Sequence, residues 1–214
     1  MSSILRTCAR LVAAWNGFFH ADLDLRSCAL IRIGYAALVL VWLAVLYPDL
    51  STWYGPDGIL PPSAAEKTMP GGAWTLLALF PQSDAWLKVA YAMAIVHALL
   101  LLVGFASRLN AAALFVWVVS FCHRNAVILD AEDTLFRLAG FFLILMPAGA
   151  RWTVDGWLFP SRIADCGLRT DGDDTIRNRG PAWALRILQI QMCVIFLSAG
   201  LSKLLSPAWQ DGTA

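Results

Sequence analysis

Three long apolar runs constrain this chain more than any other feature: Cys28–Tyr47, Trp86–Phe105 and Trp183–Leu205. A run of about 20 apolar residues is the length that crosses the hydrocarbon core of a bilayer as a helix. Two further runs, Leu109–Cys122 and Thr134–Ala148, are shorter and cross only if their polar flanks join the helix. The reading is an all-α integral membrane protein, a multi-pass helical bundle of about five transmembrane helices. Composition supports it: of 214 residues, 59% are hydrophobic and 14% charged, with net charge +1. That balance excludes a disordered chain, an ordinary soluble enzyme and a nucleic-acid binder with a basic face. The expected partner is the lipid bilayer.

The segments between the runs have distinct characters. Residues 1–27 place Leu5, Cys8, Leu11, Val12 and Trp15 at helical spacing, with Arg6 and Arg10 off that face. This predicts an amphipathic cytoplasmic helix before the first span. The apolar patch Leu11–Ala14 is too short for a signal-peptide core. Residues 28–205 form the transmembrane domain, and 206–214 an outer tail. Residues 48–85 are a Pro- and Gly-rich loop holding Ala73–Phe80, an apolar stretch too short to cross and expected to lie in the interface or re-enter. Residues 149–182 are the second long loop, carrying Arg151, Arg162, Arg169, Arg177 and Arg179 among Asp165, Asp171, Asp173 and Asp174. These arginines, with Arg6, Arg10, Arg26 and Arg108, outweigh Lys67, Lys88 and Arg124 on the other side. The bias puts the N-terminus in the cytoplasm of a protein of the inner or plasma membrane.

No metal or nucleophile motif is present. The five cysteines, Cys8, Cys28, Cys122, Cys166 and Cys193, have no C-x-x-C spacing and read as small packing residues. There is no phosphate loop, no H-E-x-x-H and no G-x-S-x-G. Trp42, Trp53, Trp74, Trp86, Trp183 and Trp209 cluster near run ends, as interfacial anchors do.

Ionisable and amide side chains inside the runs are costly in lipid, so each is a candidate for structure or function. Arg32 and Arg186 stand near the inner ends of the first and fifth spans, as snorkelling cations or structural partners. His97 lies in the second span, able to bond a facing helix, relay a proton or touch a ligand. Asp133 and Arg137 stand one helical turn apart at the start of the fourth span and are expected to form an ion pair. With His123-Arg124-Asn125, they could also line a polar pocket that orients an anionic or carbonyl group. The fifth span carries Gln189 and Gln191, then Ser198-Ala199-Gly200-Leu201-Ser202-Lys203. Its small residues admit a close neighbour. Lys203 either snorkels or sits desolvated in a pocket, where burial would make it a general base.

The ordered motifs resemble the horizontally transferred transmembrane (HTTM) domain, related to the membrane part of vitamin K-dependent gamma-carboxylase. The residues carrying the likeness are Arg32-Ile33-Gly34, Tyr54-Gly55, Gly58-Ile59-Leu60-Pro61, Gly104-Phe105 with Arg108, His123-Arg124-Asn125, Asp133 with Arg137, and Pro147. The most specific piece is Gln189-Ile190-Gln191, then Ala199-Gly200-Leu201-Ser202-Lys203-Leu204 and Trp209-Gln210-Asp211-Gly212-Thr213-Ala214. In the carboxylase a lysine in an Ala-Gly-x-x-Lys-Leu context deprotonates vitamin K hydroquinone. The resemblance therefore implies Lys203 as catalytic base and a quinol as cofactor. Family members continue into further membrane helices after the Trp-x-x-Gly motif, so a C-terminally truncated bundle is expected, one that favours a homo-oligomer or partner helices.

Two functions follow. One is quinol- or lipid-dependent chemistry with Lys203 as base, Gln189 and Gln191 polarising a substrate oxygen, and His97 relaying protons. The other is a non-catalytic membrane scaffold or partner subunit for peptide maturation or export. A small-solute transporter is disfavoured by the lack of paired broken helices.

Overall fold

The computed structural model describes residues 2–69, 71, 73–158 and 179–213. The expectations for Arg162, Arg169, Arg177, Cys166, Asp165, Asp171, Asp173 and Asp174 lie outside the described residues. In chain order the elements are α1 (Ser2–Phe19), the strand β1 (Asp22–Asp24), α2 (Leu25–Leu46), α3 (Leu50–Tyr54), α4 (Pro62–Thr68), α5 (Asp84–Val103), α6 (Ser107–Arg124), α7 (Ala131–Leu145), α8 (Val154–Leu158), the strand β2 (Arg179–Pro181), α9 (Trp183–Leu205) and α10 (Pro207–Gln210). Turns of 3-10 helix occupy Tyr47–Asp49, Leu76–Leu79 and Ala126–Ile128.

Among the described residues, three helical stretches are long and apolar enough to cross a membrane: Leu25–Tyr54, Asp84–Val103 and Trp183–Leu205. They match the three long apolar runs. The two shorter runs are also helical, as α6 with 18 residues and α7 with 15.

The chain divides into two compact units, residues 23–180 and residues 1–22 with 181–214. The larger unit is a four-helix bundle. α2 packs on α5, α5 on α6, α6 on α7, and α7 returns to α2. Val39, Leu43, Leu101, Leu114, Phe121 and Leu143 fill its centre. Outward on α2, Leu38, Val41 and Val45 are exposed. In water such a face would be a liability, and in lipid it is the required surface.

Local chemistry sets the helix ends. The Asp24 carboxylate accepts the Arg26 N–H at 2.9 Å and starts α2. Gly104, at φ +77°, stops α5. There the Phe105 N–H reaches the Leu100 carbonyl at 2.9 Å, the left-handed glycine stop that lets α6 turn back at once. The stretch Ala73–Phe80 lies on α6: Thr75 Oγ1 donates to the Ser120 carbonyl at 2.8 Å, and Ser120 Oγ accepts from the Leu76 N–H at 3.0 Å. Trp42, read as an anchor, packs instead against Phe121 and Phe136.

In the smaller unit, α1 packs against α9, and α10 folds back on the end of α9. Gln210 Nε2 donates to the Leu204 carbonyl at 2.6 Å across that turn.

Candidate functional site

Because α5 and α6 form a hairpin, the larger unit has two polar ends. Arg32 sits at the Gly104 end. It is 0% exposed, so it does not snorkel. Its Nη1 donates to the carbonyls of Ala148 and Arg151 at 2.8 and 3.2 Å, and its Nη2 to that of Trp152 at 2.6 Å. The planar guanidinium suits this task, since one rigid fork can satisfy several carbonyls. Gly104 is part of the same packing. A Cβ there would lie 2.9 Å from Arg32 Nη1 and 2.8 Å from Thr153 Cγ2. At this end too, His97 on α5 donates from Nδ1 to Asn110 Oδ1 on α6 at 2.8 Å. The Asn110 amide is oriented by its own donation to the Phe105 carbonyl at 2.7 Å. Of the three roles open to His97, the observed geometry is the bond to a facing helix.

The other end gathers around Arg124, which is buried. Its Nη1 donates to the Leu60 carbonyl at 3.1 Å and its Nη2 to the Tyr54 carbonyl at 3.3 Å. Asn125 Nδ2 adds a bond to the Trp53 carbonyl at 3.0 Å. Together they hold the loop after α3 against the end of α6. Next to them, His123 Nδ1 donates to the Trp74 carbonyl at 2.7 Å, which leaves Nε2 to accept from Arg137 Nη1 at 3.4 Å.

The expected ion pair between Asp133 and Arg137 takes a different form. Arg137 Nε donates to the main-chain oxygen of Asp133 at 3.3 Å, and Nη2 to Thr134 Oγ1 at 3.2 Å. The Asp133 carboxylate turns to the start of α7, where it accepts the Asp130 N–H at 2.8 Å. Orphan amides at a helix N-terminus compete for a carboxylate. A small cleft of about 20 Å³ opens beside Arg124, lined by Tyr54, Phe80, Gln82 and Trp86 among others. It has room for about one water molecule.

The remaining candidates lie on α9. Lys203 is exposed. Its Nζ stands 4.6 Å from the centre of the Trp209 ring, a cation–π contact made by the turn into α10. Among the described residues, this ring contact holds the Lys203 ammonium. Gln189 is exposed, and its Oε1 accepts from Arg186 Nη1 at 3.1 Å. Arg186 also lies over the Phe18 ring at 4.9 Å. Gln191 is half-buried. Cys28 and Cys122 pack in the core as expected, whereas Cys8 and Cys193 are exposed.

Of the sequence candidates, Asp133 and Arg137 come together with His123 and Arg124. His97 stands at the opposite end of the same bundle. Lys203, Gln189 and Gln191 belong to the smaller unit. Sequence reasoning missed Asn110, although a lone amide in the run Leu109–Cys122 is a signal of the same kind as His97.

The sequence matches the HTTM domain family over residues 73–214. No curated protein and no solved structure matches the chain.

Proposed function

The chain belongs to the HTTM domain family, and on that premise we propose a non-catalytic role: a membrane scaffold or partner subunit for peptide maturation or export. In this reading the protein crosses the inner or plasma membrane five times, with residues 1–27 in the cytoplasm, 28–205 in the bilayer and 206–214 outside. One observation supports the role above all. Among the described residues, four of the polar side chains that stand within or at the ends of the apolar runs of the bundle are held by its own groups. Arg32 and Arg124 grip carbonyls, Arg137 grips the main chain of Asp133, and His97 grips Asn110. Groups held this way specify a rigid bundle.

A second reading keeps quinol- or lipid-dependent chemistry. Lys203 is the base, Gln189 and Gln191 polarise a substrate oxygen, His97 relays protons, and Asp133 with Arg137 orients an anionic or carbonyl group. Its support is the position of Lys203 in the family-like Ala199-Gly200-Leu201-Ser202-Lys203-Leu204 segment, with its Nζ resting on an indole face. A neighbouring helix laid over that face would desolvate it.

The test compares wild type with Lys203→Met and Lys203→Arg in nanodiscs, reading quinol binding and quinol-dependent carbon dioxide incorporation. The scaffold reading expects the three proteins to be alike. Quinol binding or incorporation lost in Lys203→Met overturns it in favour of the base. For the five crossings, a C-terminal reporter should be active only outside the cytoplasm.

A further inference from the structure

From the geometry of α1 we infer that it is a membrane-surface helix that docks on anionic phospholipid headgroups. The inference rests on the reading that α2 crosses the bilayer. Leu11, Trp15 and Phe18 recur at helical spacing and form one stripe, with Val12 at its border. Leu11 and Trp15 are 65% and 61% exposed. At about 100° per residue, Arg6 and Arg10 fall on the opposite side of the helix. Both arginines are exposed. An apolar stripe backed by cations is the pattern of a helix lying in the plane of the headgroups, its apolar face at the acyl boundary.

Chain length fixes where such a helix must lie. Only residues 20–24 separate α1 from α2. That link reaches no more than about 20 Å. The end of α1 is therefore tethered to the surface from which a membrane-crossing helix departs. Aqueous exposure of Leu11, Val12 and Trp15 so close to a bilayer would forgo their burial, about 25 cal/mol per Å² of apolar area. Phe18, at the tethered end, also carries the Arg186 guanidinium, which matches the interfacial mix of ring and cation. The charge chooses the lipid. Each arginine near an anionic leaflet adds attraction that a zwitterionic leaflet lacks.

Hydrogen exchange of the full chain decides the matter, in nanodiscs of phosphatidylcholine alone and of phosphatidylcholine with phosphatidylglycerol. The expected result is slower exchange of residues 6–19 in the anionic discs. Arg10→Gln should reduce that difference roughly fivefold, the factor from one arginine's attraction. Leu11→Ser with Trp15→Ser should abolish protection in both discs while α5 and α6 exchange as before. Equal protection of α1 in the two lipids overturns the proposal. So does protection confined to discs holding two copies, where protein rather than lipid covers the stripe. Exchange across Leu25–Leu46 is read from the same samples, so a failure of the spanning reading registers separately from a failure of α1 to dock.

Discussion

Arg32 on α2 donates from Nη1 to the main-chain oxygen of Ala148, 116 residues further along the chain, at 2.8 Å. That bond and its two companions tie the first helix of the bundle to the segment that leaves the fourth. A buried cation among carbonyls is a fixed joint, because releasing it strands a charge and several acceptors at once.

Arg32→Met should therefore destabilise the protein strongly. Three carbonyls lose their donor, at a cost of about 3 kcal/mol. Arg32→Lys should recover part of the loss, since a point ammonium cannot fork as a guanidinium does. Unfolding in mixed detergent–lipid micelles measures both, and equal stability of all three proteins would refute the joint.

Two glycines should respond in opposite ways. Gly104 has φ +77°, and a Cβ there would meet the Thr153 main chain at 2.9 Å. Gly104→Ala is expected to cost about 1–3 kcal/mol. At Gly34 a Cβ meets nothing within 4 Å. Gly34→Ala should be neutral or stabilise α2 by up to about 1 kcal/mol. Thermal unfolding of the two variants side by side checks the contrast.

His97 and Asn110 should be energetically coupled. A double-mutant cycle of His97→Phe and Asn110→Leu should give a coupling of about 0.6 kcal/mol, and no more than about 2. A coupling of zero would mean that the 2.8 Å bond does not persist in the bilayer.

Arg124→Gln should loosen the loop after α3 without unfolding the bundle. The Tyr54 and Leu60 carbonyls lose their donor, at about 1–3 kcal/mol locally. Hydrogen exchange should quicken in residues 53–61 and stay unchanged in α5. Uniform quickening throughout would show instead that Arg124 supports the whole bundle.

The Asp133–Arg137 turn shows how far local spacing carries. One-turn spacing on a helix brought the two residues into contact, as expected. It could not choose the acceptor, because the Asp130 N–H competes for the carboxylate and leaves Arg137 the main-chain oxygen. Lys203 shows the same limit. Its place in a small-residue segment was legible, but its partner, the Trp209 ring, depends on the turn that follows α9.

Apolar length and helical period are properties of neighbouring residues, so the primary structure alone determined a helical membrane protein, its three long apolar helices, an amphipathic first helix and the HTTM likeness. Tertiary structure alone decided what each buried polar group holds. Arg32, Arg124 and His123 bind main-chain oxygens distant in the chain, and a carbonyl is the same atom in every residue. Such an acceptor leaves no mark in the order of side chains, and only the folded backbone brings it within reach.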